Sequence, residues 1–237
     1  MMINGIDCSY WQGDMDWVKA KSAGVQFAFI RAHYQGGKDT KFDKNWAETK
    51  RLGIPRGAYG WVIPGRNQVT EANKFISYLD GDFGELAPVC DFEKYNGNPT
   101  YGELRTFIER VEVLVKRPPF IYTSTGYWRS LLNSTMQSWA AVRYPLWIAH
   151  YTKAAAPTIP APFSKWTFWQ WSADGNGRGA EFGAQSSAID LNRFSGDVID
   201  FQKLIGADVI EPDLPDTALS ARVDRLESWA RGIGYKG

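Results

Sequence analysis

The run Ala87-Pro88-Val89-Cys90-Asp91-Phe92-Glu93 carries the sharpest chemical signal in the sequence. Side chains along an extended strand alternate between faces, so Asp91 and Glu93 share one face with α-carbons about 7 Å apart. Cys90 and Phe92 take the other. Two carboxyls this close do not both ionise cheaply: one keeps its proton toward neutral pH beside a partner already charged. Hydrolysis of a glycosidic bond needs that pair, an acid for the leaving oxygen and a negative group facing an oxocarbenium-like transition state. Carboxylate clusters also bind calcium or magnesium, but the DxDxDG-like spacing of a calcium loop is absent here. His33 and His150 are the only histidines, and Cys8 and Cys90 form no CxxC. Neither a metal nor a cofactor is expected.

These carboxyls need elements to hold them. Short apolar or β-branched runs alternate with amphipathic stretches: strands are expected at 3–9, 27–33, 56–62, 87–93, 120–124, 146–151, 167–172 and 188–194. Helices are expected near 16–23, 42–52, 68–79, 101–116, 125–132 and 198–205, so each of the first five strands leads into a helix. Alternating βα units predict a parallel sheet with helices outside, and eight such strands predict a barrel, less fully covered near its last three. No GxGxxG or P-loop follows the first strand, which disfavours an open nucleotide-binding sheet.

Functional side chains of a parallel barrel sit at the C-terminal ends of its strands. Those ends read Asp7, His33, Tyr59 with Trp61, Asp91 with Glu93, Tyr122, Tyr151, Gln170 with Ser172, and Asp190 with Asn192. Four acids and a set of aromatics thus meet at one mouth. The chain has 11 Trp, 11 Tyr and 13 Phe, which suit either a packed core or a groove for flat sugar faces. Trp169 and Trp171 share a face that Gln170 does not, so if Gln170 points inward both Trp belong to the outer core. Cys8 and Cys90, each beside an acid, should point away as buried thiols.

Several segments, taken in order, resemble glycoside hydrolase family 25, the Chalaropsis-type lysozymes. They are Gly5-Ile6-Asp7-Cys8-Ser9 with Gln12-Gly13, Arg56-Gly57-Ala58-Tyr59, Pro88 to Glu93, Ile121-Tyr122-Thr123, Pro145 to Tyr151, Trp169-Gln170-Trp171-Ser172 and Ile189 to Phe194. The resemblance implies a TIM-like (β/α)5(β)3 barrel, and hydrolysis of the β-1,4 bond between N-acetylmuramic acid and N-acetylglucosamine in peptidoglycan. It places the general acid at Glu93, with Asp91, Asp7 and Asp190 as its companions. It also implies a substrate-assisted reaction, with Asp91 or Asp190 orienting the acetamido group. Tyr59, Trp61, Tyr122, Tyr151, Gln170, Asn192 and His33 are the candidate substrate contacts. Many members carry Lys-x-Thr-Glu-Gly at the end of strand two; this chain has Arg31-Ala32-His33-Tyr34-Gln35-Gly36, without the acid. His33 there is either a mouth residue that tunes the acid as it titrates or a hydrogen-bonded loop residue.

The whole-chain composition narrows the partners. Lys plus Arg is 27 and Asp plus Glu is 26 over 237 residues, a balance that does not suit a general nucleic-acid binder. No signal peptide and no membrane span are visible, so the chain is expected to be made in a (host) cytoplasm, in the manner of a phage lysin, and to act on the wall. The barrel is expected over 1–206, an acidic Pro-containing linker over 207–216 and an amphipathic helix over 217–237. Leu219, Val223, Leu226, Ala230 and Ile233 recur at heptad spacing in that helix, which suits docking on the barrel or on a copy of itself. Two other readings stay open: a non-catalytic wall-binding module, and a chitin-type substrate-assisted glycosidase.

Overall fold

The computed structural model describes residues 2–207 apart from 95 and 132. Most of the expected 207–216 linker and all of the 217–237 helix lie outside the described residues.

Nine strands form one sheet: β1 (Asn4–Cys8), β2 (Phe27–Tyr34), β3 (Gly37–Lys38), β4 (Arg56–Trp61), β5 (Val89–Asp91), β6 (Phe120–Ser124), β7 (Leu146–Ala149), β8 (Phe168–Ser172) and β9 (Asp190–Phe194). Its order is β1-β9-β8-β7-β6-β5-β4-β2-β3, and a further β1–β2 pairing closes the barrel on eight strands, with β3 as a short hairpin arm. Seven helices are described: α1 (Trp17–Ser22), α2 (Phe42–Arg51), α3 (Gln68–Ser77), α4 (Tyr101–Val115), α5 (Thr125–Ser130), α6 (Ser134–Arg143) and α7 (Val198–Leu204). None is long and apolar enough to cross a membrane.

Two expectations need correction. The sheet is mixed rather than parallel: β9 runs antiparallel to both β1 and β8. The connection from β8 to β9 contains only short 3-10 turns, and the chain returns in the opposite direction. The second correction is α6, which the sequence reading left as loop. Asn133 caps it by accepting from the Met136 N–H, but Ala140 is its only fully buried residue, so it carries a weak apolar stripe. α4 shows the opposite case. Thr100 and Glu103 form a capping box at its start, and Leu104, Phe107, Ile108, Val111 and Val115 are buried. Leu114 on the same helix is half-buried.

The core has two layers. Outward-facing strand residues such as Ile6, Cys8, Ile30, Cys90, Ile121 and Trp169 pack against the helices. Inward-facing residues fill the barrel floor with rings: Phe27 lies 4.9 Å from Phe168, and Phe29 stacks on Trp147 at 4.3 Å. Gly5 has a packing cause, since a Cβ there would lie 2.5 Å from the Phe27 ring. Burying each such ring contributes about 1.5–3 kcal/mol, which makes the floor a rigid base for the mouth above it.

Candidate active site

Above the aromatic floor, β1 ends with Asp7 pointing inward, β5 ends with Asp91, Glu93 follows two residues later, and the reversed β9 begins with Asp190. All four line one cleft of about 310 Å3. Alternation works as expected: Gly5 and Asp7 face in while Ile6 and Cys8 face out, and Asp91 faces in while Cys90 and Phe92 face out. Both cysteines are buried free thiols turned away from the cleft.

The acids differ in what surrounds them. Asp7 Oδ2 accepts from Gln170 Nε2 and from Asn192 Nδ2, each at 2.8 Å. The orientation of Asn192 is fixed from below, because Trp147 Nε1, which can only donate, binds Asn192 Oδ1 at 2.8 Å. Gln170 is fixed in the same manner: its Oε1 accepts from the Tyr122 hydroxyl at 2.9 Å and the Tyr151 hydroxyl at 2.7 Å. A relay of neutral donors therefore converges on one carboxylate. Asp190, the register partner of Asp7 across β1 and β9, completes it with a side-chain hydrogen bond to Asp7. Asp91 has no such support: its Oδ1 is buried with no hydrogen-bond partner among the described residues.

Burial is the first cause of every shift here. It pushes Asp7 up to about 6, opposed by the Asn192 and Gln170 hydrogen bonds and by Arg31. It pushes Glu93 up to about 7, reinforced by the charge on Asp7. Asp190 rises to about 9, by burial and then by repulsion from Asp7 and the bond to it. Asp91 is raised well above the usual carboxylate range, by burial and then by Glu93 and Asp7. Near neutral pH the cleft thus holds an ionised Asp7, a Glu93 midway through its titration and a protonated Asp190, with Asp91 held well above the usual carboxylate range. The sequence reading gave Glu93's proton to a charged Asp91; the structure puts burial first and makes Asp7 the charged neighbour.

Tyr59, Trp61, Tyr122, Tyr151 and Gln170 line the cleft as expected. Asn192 does not. Because β9 is reversed, Asp190 lies at the mouth and Asn192 lies two residues deeper, fully buried beneath Asp7, so it positions a carboxylate instead of touching substrate. His33 is also misplaced. Between Arg31 and His33 the β2–β4 register slips by one residue, Arg31 pairing with Tyr59 and His33 with Gly60. The bulge re-aims His33 to the outside of the barrel, where its Nε2 meets Glu71 at 3.0 Å and its ring packs near Tyr78 and Phe107. Trp169 lies in the outer core and Trp171 packs against it, as an inward Gln170 requires.

Sequence reasoning missed four residues that line the cleft: Ser9, Trp11, Gln12 and Arg31. Arg31 matters most. Its Nε binds Asp39 Oδ2 at 2.8 Å, and its guanidinium lies over the rings of Tyr34 at 4.1 Å and Tyr10 at 4.8 Å. It favours the charged forms of Asp7 and Asp91. The signal was present in the alternation of Phe27, Phe29 and Arg31. Trp11 is an exposed ring at the cleft's edge, on a 3-10 turn that alternation does not describe.

The chain matches the pattern of Glycosyl hydrolases family 25 over residues 6–180. It is 36% identical over 210 residues to Lysozyme M1 of Streptomyces globisporus, covering 82% of this chain and 68% of that protein. With the N,O-diacetylmuramidase of Chalaropsis sp it shares 27% identity over 187 residues, 71% of this chain and 87% of the other. The fold is similar to the crystal structure of the bacterial lysozyme from Streptomyces coelicolor, with a TM-score of 0.73 at 30% identity, covering 86% of this chain and 97% of that one. A closed mixed barrel, a four-carboxyl cleft at its mouth and these matches agree: the chain belongs to glycosyl hydrolases family 25, the lysozyme-type glycoside hydrolases.

Proposed function

We propose that this chain is a muramidase acting at the bacterial cell wall, hydrolysing the β-1,4 bond between N-acetylmuramic acid and N-acetylglucosamine with Glu93 as general acid. The observation that carries this reading is the graded acidity of one cleft: Glu93 titrates near 7 beside an Asp7 held ionised by two amide donors. Similarity to proteins described as lysozymes and muramidases supports the substrate class.

In the proposed reaction the Glu93 proton passes to the glycosidic oxygen as the bond from the muramic C1 breaks. The substrate's own acetamido oxygen attacks C1, while the open Oδ1 of Asp91 accepts a hydrogen bond from the acetamido N–H. Asp7 and Arg31 fix the field in which positive charge develops and disappears. Water then attacks C1, its proton goes to the Glu93 carboxylate, and the product keeps its β configuration. Asp190, already bonded to Asp7, supports that carboxylate and is less suited to hold the acetamido group.

Mass analysis of fragments released from purified peptidoglycan tests the reading, with proton NMR of the first-formed anomer. Reducing-end muramic acid in the β form is expected. Reducing-end N-acetylglucosamine would favour the chitin-type alternative, an initial α anomer would remove the substrate-assisted step, and bound but uncut glycan would favour a wall-binding module.

A further inference from the structure

The helical coat stops before the barrel closes. Neither the connection from β7 to β8 nor that from β8 to β9 contains an α-helix, so part of the outer face of these strands is uncovered by the described residues. A cavity of about 830 Å3 lies there, lined by Lys153, Trp169, Trp171, Asp174 and Arg193, and it meets the catalytic cleft at Tyr151, which borders both. Tyr151 is 56% exposed, so the two spaces are separated by one accessible side chain.

Arg193 is the unusual member. It points outward from β9, and its guanidinium lies 4.7 Å from the Trp171 ring and 5.3 Å from Trp169. Its Nε is buried without a hydrogen-bond partner, and among the described residues no carboxylate pairs with it. Asp174 lines the same cavity but is committed elsewhere, accepting from the Asn176 N–H at 2.8 Å and the Ser172 hydroxyl at 3.0 Å. A guanidinium stacked on indoles, with no carboxylate paired to it among the described residues, suits a planar anion. Lys153 adds a second, exposed cation.

We infer that this groove takes the carboxylate-bearing peptide stem carried by N-acetylmuramic acid, an inference that rests on the muramidase reading. Charge complementarity and continuity both point this way. The ionised Asp7 and partly ionised Glu93 of the mouth repel an anionic stem, whereas the groove beyond Tyr151 offers two cations on an aromatic wall.

The test compares three substrates: glycan strands with stems intact, the same strands after an amidase has removed the stems, and strands whose stem carboxyls are chemically amidated. With wild type, KM should be lowest for intact strands. Arg193→Gln should raise KM for intact strands about ten-fold with kcat unchanged, and leave stripped and amidated strands unaffected. Arg193→Lys should recover only part of the loss, because it keeps the charge and loses the fork. Equal changes on intact and stripped strands, or none on intact strands, would overturn the inference. If Arg193→Gln fails to fold, Lys153→Ala on an exposed side chain decides: a stem-specific KM rise of about three-fold supports the groove, and its absence rejects it. Should wild type release no muramic reducing ends even from stripped strands, the muramidase reading itself fails and the inference falls with it.

Discussion

The two walls of the cleft carry the same kind of residue and treat it differently. On the wall built by β1, β8 and β9, Asp7 receives two amide donors at 2.8 Å, and each amide is itself locked by a Trp or Tyr donor. On the β5 wall, Asp91 keeps a buried oxygen with no partner among the described residues, and Glu93 is held up mainly by burial. One wall is bonded within the protein; the other keeps a buried carboxyl oxygen unpaired among the described residues. A carboxylate whose donors are all protein groups sets a charge, and one left open is available to a ligand.

Substitution at Glu93 should have the largest effect. Glu93→Gln keeps the shape and removes the proton, so release of reducing ends should fall about 10³-fold or more with glycan binding retained. Turnover near wild type would remove the acid from Glu93. Next comes the contrast between walls. Asp91→Asn should lower kcat by about 10²-fold with little change in melting temperature, because no protein partner of Asp91 is lost. Asp7→Ala would leave the Gln170 and Asn192 amide donors unpaired, and should destabilise the fold by about 1–3 kcal/mol besides slowing the reaction. The reverse pattern, a stability loss at Asp91 and none at Asp7, would break the comparison.

The pH profile sharpens the same contrast at smaller amplitude. Asp7 must be ionised and Glu93 protonated, so kcat/KM should rise as pH climbs through about 6 and fall as it passes about 7. Arg31→Gln removes a cation that favours the charged form of Asp7, so the acidic limb should move to higher pH while the alkaline limb moves less. An unmoved acidic limb would show that Asp7 does not set it.

Alternation and strand ends made most of the site readable before any coordinates. Asp7, Asp91, Tyr59, Tyr122 and Gln170 all face the cleft because strict period-two geometry places them there. What escaped was whatever breaks that geometry. Asp190 reached the mouth as expected, but reversal of β9 buried Asn192, and strand direction is not written in the strand's own residues. The β2 bulge carried His33 outside while Arg31 stayed in, and a one-residue slip leaves no mark in composition. The donor relay behind Asp7 joins residues up to 185 positions apart, which no local spacing can reveal.

His33 gives the smallest and cleanest contrast, because it leaves the same strand as Arg31 on the opposite side of the barrel wall. His33→Gln should leave kcat/KM within about two-fold, since the ring is fully buried against Glu71 and outside the cleft. Its effect belongs to stability. Burial, only partly offset by Glu71, lowers the His33 pKa from its usual 6.5. The unfolded chain therefore binds the proton more readily, and the stability tied to the neutral ring is present above pH 6.5 and lost as pH falls toward the depressed folded value. Relative to wild type, His33→Gln should therefore gain melting temperature as pH falls below 6.5, since the cleft carboxyls contribute equally to both proteins. A ten-fold loss of kcat/KM with unchanged melting behaviour would instead couple this position to the mouth and undo the separation that the bulge imposes.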